Sequence, residues 1–295
     1  MDNEMWGIPF TAGALVGLAA VSSAGAAVTS ETDDARVHAD LQVLAGRSVL
    51  FGHQSVGMNL LDGVVELASR EGAPLRVLDV TGAPSSPPGT LAHLFVPENG
   101  KPEVKLKSFA RALESLPPTG PDIALVKFCY VDFEPSTDPI ALFDLYRSMI
   151  ASLQAKRPAT RFVHVTAPLS TVQVGPKAWV KRLLGRTPYG LAENARREEF
   201  NARLRAAYGD REPIFDLARV ESTLPDGSRS TATWGGRSFP VLAETYTDDG
   251  GHLNERGRLK AARELVAVLA AVELPGDEVP GEGAGGRGAS PLPHR

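Results

Sequence analysis

Cysteine is almost missing from this chain. Cys129 is the single one among 295 residues, which excludes an internal disulfide and any zinc site built from several thiolates. An excess of positive charge is missing as well. Lys and Arg total 31 against 35 Asp and Glu, a formal net charge of −4, whereas nucleic-acid binders usually present a basic surface. Internal repeats are absent, and His38, His53, His93 and His164 show no metal-ligand spacing. The longest apolar run, residues 11–27, is too short and too rich in Ala and Gly to read as a membrane span. Apolar residues themselves are plentiful, at 43%. The chain can therefore bury a sizeable core, as one large α/β domain or two small ones. Its abundance of Ala, Gly and Arg matches the composition encoded by a GC-rich bacterial genome.

The apolar run ends in Ala24-Gly25-Ala26, a small-residue cleavage pattern. Met1-Asp2-Asn3-Glu4-Met5 before it is acidic, where an export signal is positive; a misassigned start codon would reconcile the two. The expectation is an exported protein, periplasmic or extracellular, with residues 1–30 a signal peptide or disordered N-terminus. The competing reading is an Ala-rich extension on a cytoplasmic enzyme. No cysteine lies directly after the run, so a lipoprotein anchor is not expected. At the other end, residues 274–295 are Pro, Gly and charge and read as a disordered tail.

Between these ends, residues 31–273 alternate between strand and helix patterns. Asp33-Asp34 can cap a helix running to about Leu44. Val49–Phe51 is a short continuous apolar run, as in a buried parallel strand, and Leu60, Leu61, Val64, Val65 and Ala68 follow at helical spacing. Leu75–Val80, Ile123–Phe128, Phe162–Thr166 and Ile214–Leu217 read as further strands. Residues 81–102, broken by proline and glycine, read as a long loop. Helices are expected around Phe109–Leu116, over 139–155, over 189–208 and at Leu259–Leu269. Such alternation gives a parallel sheet covered on both faces, with its site at the carboxyl ends of the strands. That rule brings together Ser55 after the first strand, Cys129–Asp132 after the third, Pro168 after the fourth, and Asp249 and His252 in the loop after the fifth.

Ser55 stands where a strand breaks into a helix, in Phe51-Gly52-His53-Gln54-Ser55-Val56-Gly57. A serine hydroxyl needs a base to become a nucleophile. A helix N-terminus adds backbone N–H groups that can meet a developing oxyanion, and Gly57 would let the turn pack closely. The plain alternative is that Ser55 only caps the helix. Its spacing from Gly52 is not that of the G-x-S-x-G elbow. Asp248-Asp249-Gly250-Gly251-His252, before the final helix, offers an imidazole base and a carboxylate to orient it. Two glycines let the chain turn between Asp249 and His252. The alternatives are a polar loop whose Asp248 or Asp249 caps the helix, and a metal site using Asp248, Asp249 and His252.

A serine after the first strand with D-x-x-H before the last helix, in an α/β chain of this size, resembles the SGNH hydrolases, also called GDSL esterases. The resemblance runs from about Arg47 to Leu269. It implies a three-layer α/β/α, flavodoxin-like fold with a five-stranded parallel sheet. It also implies Ser55 as nucleophile, His252 as base and Asp249 as its orienting acid, with ester substrates and neither metal nor cofactor. Two blocks depart from the family. Gln54 stands at the aspartate position of Gly-Asp-Ser. Cys129-Tyr130-Val131-Asp132 stands where Gly-x-Asn-Asp belongs, with Val131 at the oxyanion asparagine and only Asp132 matching. Gly82, Gly89 and Gly100 compete for the second-block glycine; Gly100 is favoured, with the amide of Asn99 as a substitute donor.

Three features carry plainer readings. Cys129 ends a buried strand and reads as core. His53 reads as structural. Lys177, Lys181, Arg182 and Arg186, around Trp179, Val180, Leu183 and Leu184, read as a solvated face, with a mobile lid or an anionic-substrate contact as the alternative. The functional expectation is a serine esterase acting on an acyl ester, an O-acetyl group on a carbohydrate by family analogy. An O-acyltransferase on the same site and a non-catalytic carbohydrate-binding protein of the same fold are the alternatives. The expected partner is a small-molecule or carbohydrate ester, with no nucleic acid and no stable membrane insertion.

Overall fold

The computed structural model describes residues 23–275. The signal-peptide reading lies outside them for residues 1–22, and the tail reading for residues 276–295. The chain divides into two compact units at Arg36/Val37. The described part of the first is the opening of helix α1 (Ser23–Leu44), which begins well before the expected Asp33-Asp34 cap and ends at the expected Leu44. The second unit runs β1 (Ser48–His53), α2 (Val56–Arg70), β2 (Arg76–Asp79), β3 (Thr90–Phe95), α3 (Pro102–Glu114), β4 (Ile123–Val126), α4 (Pro139–Lys156), β5 (Arg161–Val165), α5 (Gly175–Leu183), α6 (Leu191–Tyr208), β6 (Ile214–Phe215), α7 (Leu217–Ser222), β7 (Thr231–Trp234), β8 (Arg237–Pro240) and α8 (Glu255–Ala270).

Six parallel strands form the main sheet in the order β2-β3-β1-β4-β5-β6, and β7 and β8 form a separate antiparallel hairpin. The expected α/β architecture is present, with one strand more than expected. That strand, β3, lies inside the segment read as loop. Its residues Thr90–Leu94 are all buried, and it pairs with β1 in register from Ser48↔Thr90 to His53↔Phe95. It displaces β2 to the edge of the sheet. The flanking prolines and glycines punctuate the approach to a strand, not a loop throughout.

Strand alternation sorts the core into two layers. Val49, Phe51, Ile123, Leu125, Val163 and Val165 face a cluster containing Leu41, Leu60, Val64, Leu265 and Val266 of α1, α2 and α8. Their neighbours Leu50, Ala124, Val126 and Phe162 face the other side, against Phe109, Leu113, Ile150, Leu153 and Phe200 of α3, α4 and α6. The result is a helix–sheet–helix sandwich. Leu60 has no exposed surface. Leu60→Ala is expected to lower stability by roughly 2–5 kcal/mol, measurable by urea denaturation.

The chain order reverses at β1. It runs from β1 to the edge strand β2 and back to β3 on one side, then crosses to β4, β5 and β6 on the other. The crevice beyond the carboxyl ends of β1 and β4 is thus the topological switch point where α/β sheets place their sites.

Candidate active site

Ser55 leaves β1 at that crevice and opens α2. It occupies the N-cap position, but its side chain makes no capping hydrogen bond. Its Oγ lies 3.3 Å from Cys129 Sγ instead, across the gap between β1 and β4. The plain capping role is therefore unfilled. The residues around Ser55 fix the turn. Gln54 Nε2 donates to Val96 O at 2.8 Å, tying the end of β1 to the end of β3. Gly57 permits the close approach anticipated from sequence, since a Cβ there would come within 2.4 Å of the His53 ring.

His53 is fully buried. Its Nε2 is 3.0 Å from His93 Nδ1, while its Nδ1 has no partner. Burial, reinforced by Lys127 and His93, pushes its pKa down to about 3, so the ring is neutral beneath the turn. It packs against Phe51, His93 and Phe95, as its structural reading requires.

Asp249 and His252 meet directly: Nδ1 of His252 is 2.6 Å from Asp249 Oδ2. Asp249 Oδ1 also accepts the backbone N–H of Gly251 at 2.9 Å and of His252 at 2.8 Å. Desolvation raises the Asp249 carboxyl, but the N–H of His252, its ring and the N–H of Gly251 outweigh it and hold the group well below the usual carboxylate range. Gly250 has φ +87°, which glycine adopts without strain. A Cβ on Gly251 would meet the Tyr130 ring at 2.9 Å. Tyr130 in turn presents an edge to His252, with ring centroids 5.7 Å apart. Arg197, buried under the site, holds Tyr130 by donating to its carbonyl at 2.9 and 3.2 Å. Asp248 has a different partner, accepting from Asn254 Nδ2 at 3.2 Å.

The two halves of the site are tied by Asn59, one helical turn beyond Ser55, whose Oδ1 accepts the Leu253 N–H at 3.1 Å. The His252 loop is thus anchored to the helix that Ser55 opens. Among the described residues no hydrogen bond joins Ser55 to His252. A ligand-free hydrolase often closes that bond only when substrate is bound.

Asp132, Asn99 and Gly100 are brought together around Lys105. Asp132 is buried and accepts at both oxygens, from Lys105 Nζ at 2.6 and 2.8 Å, Gly100 N at 2.8 Å and Cys129 N at 2.6 Å. A carboxylate so engaged is an acceptor that braces two loops, and the Gly100 N–H is already committed to it. Asn99 Oδ1 accepts from Lys105 Nζ at 2.8 Å, which turns the Asn99 side-chain oxygen toward the same buried lysine. Val131, at the asparagine position, lies on a short 3-10 turn (Tyr130–Asp132).

Lys105 was not anticipated. It lies on the apolar face of α3 with Phe109, Ala112 and Leu113 and has no exposed surface. A lysine in a helical core stripe was the available signal that an acid would be buried opposite. Removing one partner of such a pair strands the other charge. Lys105→Met is therefore expected to cost ~3 kcal/mol or more in stability, and Lys105→Met/Asp132→Leu to recover part of that loss, both read by urea denaturation. Two further buried charges, Lys127 and Glu221, were also missed. Burial pushes Lys127 down and Glu221 up to about 8, and each opposes the other's shift. Glu221 Oε2 accepts the Leu169 N–H at 2.6 Å, fixing the chain where it leaves β5.

No group of three or more metal-ligating side chains occurs among the described residues.

No protein-family model matches the chain, and no curated protein matches it. Solved structures do match. A lipase/acylhydrolase from Enterococcus faecalis is 15% identical, with 75% of this chain and 94% of that one covered and a TM-score of 0.44. A lipolytic protein assigned to the G-D-S-L family from Desulfitobacterium hafniense is 10% identical, with 75% and 98% covered and a TM-score of 0.44. The periplasmic domain of a Salmonella Paratyphi A lipopolysaccharide acetyltransferase is 12% identical, with 85% and 97% covered and a TM-score of 0.39. At these identities and scores, the reading of activity rests on the geometry of the site itself.

Proposed function

We propose that this protein is a serine esterase of the SGNH type that cleaves an acyl ester. The observation that carries the reading is the Asp249–His252 bond, anchored through Leu253 and Asn59 to the helix opened by the uncapped Ser55. Ser55 Oγ attacks the ester carbonyl while His252 Nε2 takes its proton. Asp249 holds Nδ1–H and so keeps Nε2 facing the nucleophile. The tetrahedral intermediate expels the alcohol, which receives the proton from His252. Water, activated by the same imidazole, then releases the acid and regenerates Ser55. The N-terminus of α2, which Ser55 opens, supplies backbone N–H groups for the developing oxyanion. An O-acetyl group on a carbohydrate remains the substrate proposed on family analogy, and export of the mature protein from about Ala27 its expected context.

The test is labelling with a fluorophosphonate probe. The probe is expected to attach to Ser55, identified by peptide mass spectrometry, and not to attach after Asp249→Asn at the same dose. A second reading draws on Val131, which replaces the expected oxyanion asparagine: a carbohydrate-binding protein without turnover. Carbohydrate binding that survives Ser55→Ala in a parent that neither labels nor hydrolyses would favour it. Transfer of the acyl group to added sugar, in preference to water, would identify an acyltransferase.

A further inference from the structure

The segment read from sequence as a solvated basic face is a helix turned inside out. Within α5, Ala178 is the buried residue. At ~100° per residue, Pro176, Trp179, Val180 and Leu183 fall on the opposite face. Trp179 is 61% exposed, Leu183 71%, Leu184 just beyond the helix 64%, and Val174 just before it 69%. No other stretch of the described residues exposes large apolar side chains at this density. Scattered apolar residues on a surface need no explanation, but a contiguous set does.

The charges around this face are equally particular. Residues 173–189 contain Lys177, Lys181, Arg182 and Arg186 and no Asp or Glu, in a chain whose net charge is negative. Elsewhere, several surface cations pair with acids a turn away: Arg70 with Glu66, Lys101 with Glu98, Lys107 with Glu103, Arg147 with Asp144. Among the described residues none of the four cations around α5 forms an ion pair. An exposed apolar face with a tryptophan, bordered by unpaired Lys and Arg, is the pattern of a helix that lies in a membrane interface.

The placement of α5 gives the pattern a use. The excursion that carries it is closed at its base by Gln173 N–H donating to Tyr189 O at 2.9 Å. Just below, Thr171 N–H donates to Gly250 O at 2.9 Å, in the glycine turn between Asp249 and His252. The exposed helix is therefore fastened to the loop that holds the proposed base.

We propose that α5 docks the protein on an anionic phospholipid surface, with Trp179, Val180, Leu183 and Leu184 entering the interface and Lys177, Lys181, Arg182 and Arg186 meeting the headgroups. This is peripheral binding, and it agrees with the absence, among the described residues, of any helix long and apolar enough to cross a membrane. The consequence for substrate is an acyl ester presented at the lipid surface; that consequence rests on the esterase reading, whereas the docking does not.

Co-sedimentation of the full chain with vesicles tests the docking. The parent is expected to bind vesicles of phosphatidylcholine with phosphatidylglycerol, and to bind pure phosphatidylcholine far less. Trp179→Ser/Leu183→Ser and Lys177→Glu/Arg182→Glu should each lower the partition coefficient at least about tenfold, with circular dichroism and thermal midpoint unchanged because these side chains are exposed. Absence of binding by the parent overturns the proposal. So does binding that neither variant weakens, which would assign it to residues 11–27. A dimer of the parent that either variant dissociates in sedimentation also overturns it, since a second copy would then cover the face. Turnover separates the two readings. Both variants should hydrolyse a soluble aryl acetate like the parent and lose rate on an ester carried in phosphatidylglycerol vesicles. A parent that binds vesicles but hydrolyses neither ester defeats the esterase reading alone.

Discussion

Ser55→Ala is expected to lower hydrolysis of a short-chain aryl ester by at least about a thousandfold, the scale on which removal of a triad member is felt. The expectation comes from what Ser55 does not do. A serine at a helix N-cap ordinarily accepts a backbone N–H of the first turn, and Ser55 makes no such bond. Its hydroxyl points across the switch-point crevice instead, to Cys129 Sγ. That contact raises a rival that the variant series resolves. A thiol beside the crevice is a better intrinsic nucleophile than a hydroxyl. Cys129, however, is 1% exposed and lies within a braced turn, its N–H held by Asp132. Cys129→Ala should therefore retain most of the activity, changing only the packing around Ser55. If Cys129→Ala abolishes turnover while Ser55→Ala retains it, the nucleophile is misassigned and the serine is a spacer beside a thiol.

The parts of this fold that could be read from sequence are those in which side-chain periodicity and burial coincide. β1, β4 and β5 are short apolar runs buried on both faces, and α2 and α8 carry apolar residues at helical spacing; both signals survive into the structure. β3 escaped because its six residues, Thr90–Phe95, sit between Gly89 and Pro97 in a segment dominated by turn chemistry, and include His93. The apolar run Leu91-Ala92-His93-Leu94-Phe95-Val96 was the local signal for it; the surrounding turn residues masked that signal, and pairing with β1 reveals it. The β7–β8 hairpin is a different case, since Gly235 and Gly236, both with positive φ, are a recognisable two-residue turn between strands. Of the site, the Asp249–His252 contact follows from a three-residue spacing with two glycines and was legible. The meeting of Ser55 with Cys129, and the bracing of Asn99, Gly100 and Cys129 by Lys105 and Asp132, depend on which strands are neighbours, and that is a property of the sheet order.

Asp249→Asn should cut turnover by up to about ten-thousandfold, whereas Asp248→Asn should cost far less. The two carboxylates are adjacent in sequence but separated by their partners. Asp249 Oδ2 receives His252 Nδ1 at 2.6 Å, and its other oxygen takes the N–H groups of Gly251 and His252. These backbone bonds lock the carboxylate in place and lower its affinity for protons, so it stays ionised beside the imidazole across the range in which an ester hydrolase works. An asparagine of the same shape can keep much of that geometry. It can also present N–H to Nδ1, which favours the tautomer with its proton on Nε2 and removes the base from the nucleophile. It would further lose the charge that stabilises imidazolium during attack. Asp248 bonds Asn254 Nδ2 instead, and Asn254 already caps α8 through the Gly257 N–H at 3.1 Å; an amide at position 248 leaves His252 untouched. Measuring kcat/KM for both variants on one aryl acetate settles the assignment. A larger loss from Asp248→Asn would mean that the carboxylate bonded to His252 in the resting structure is not the one that orients it during the reaction.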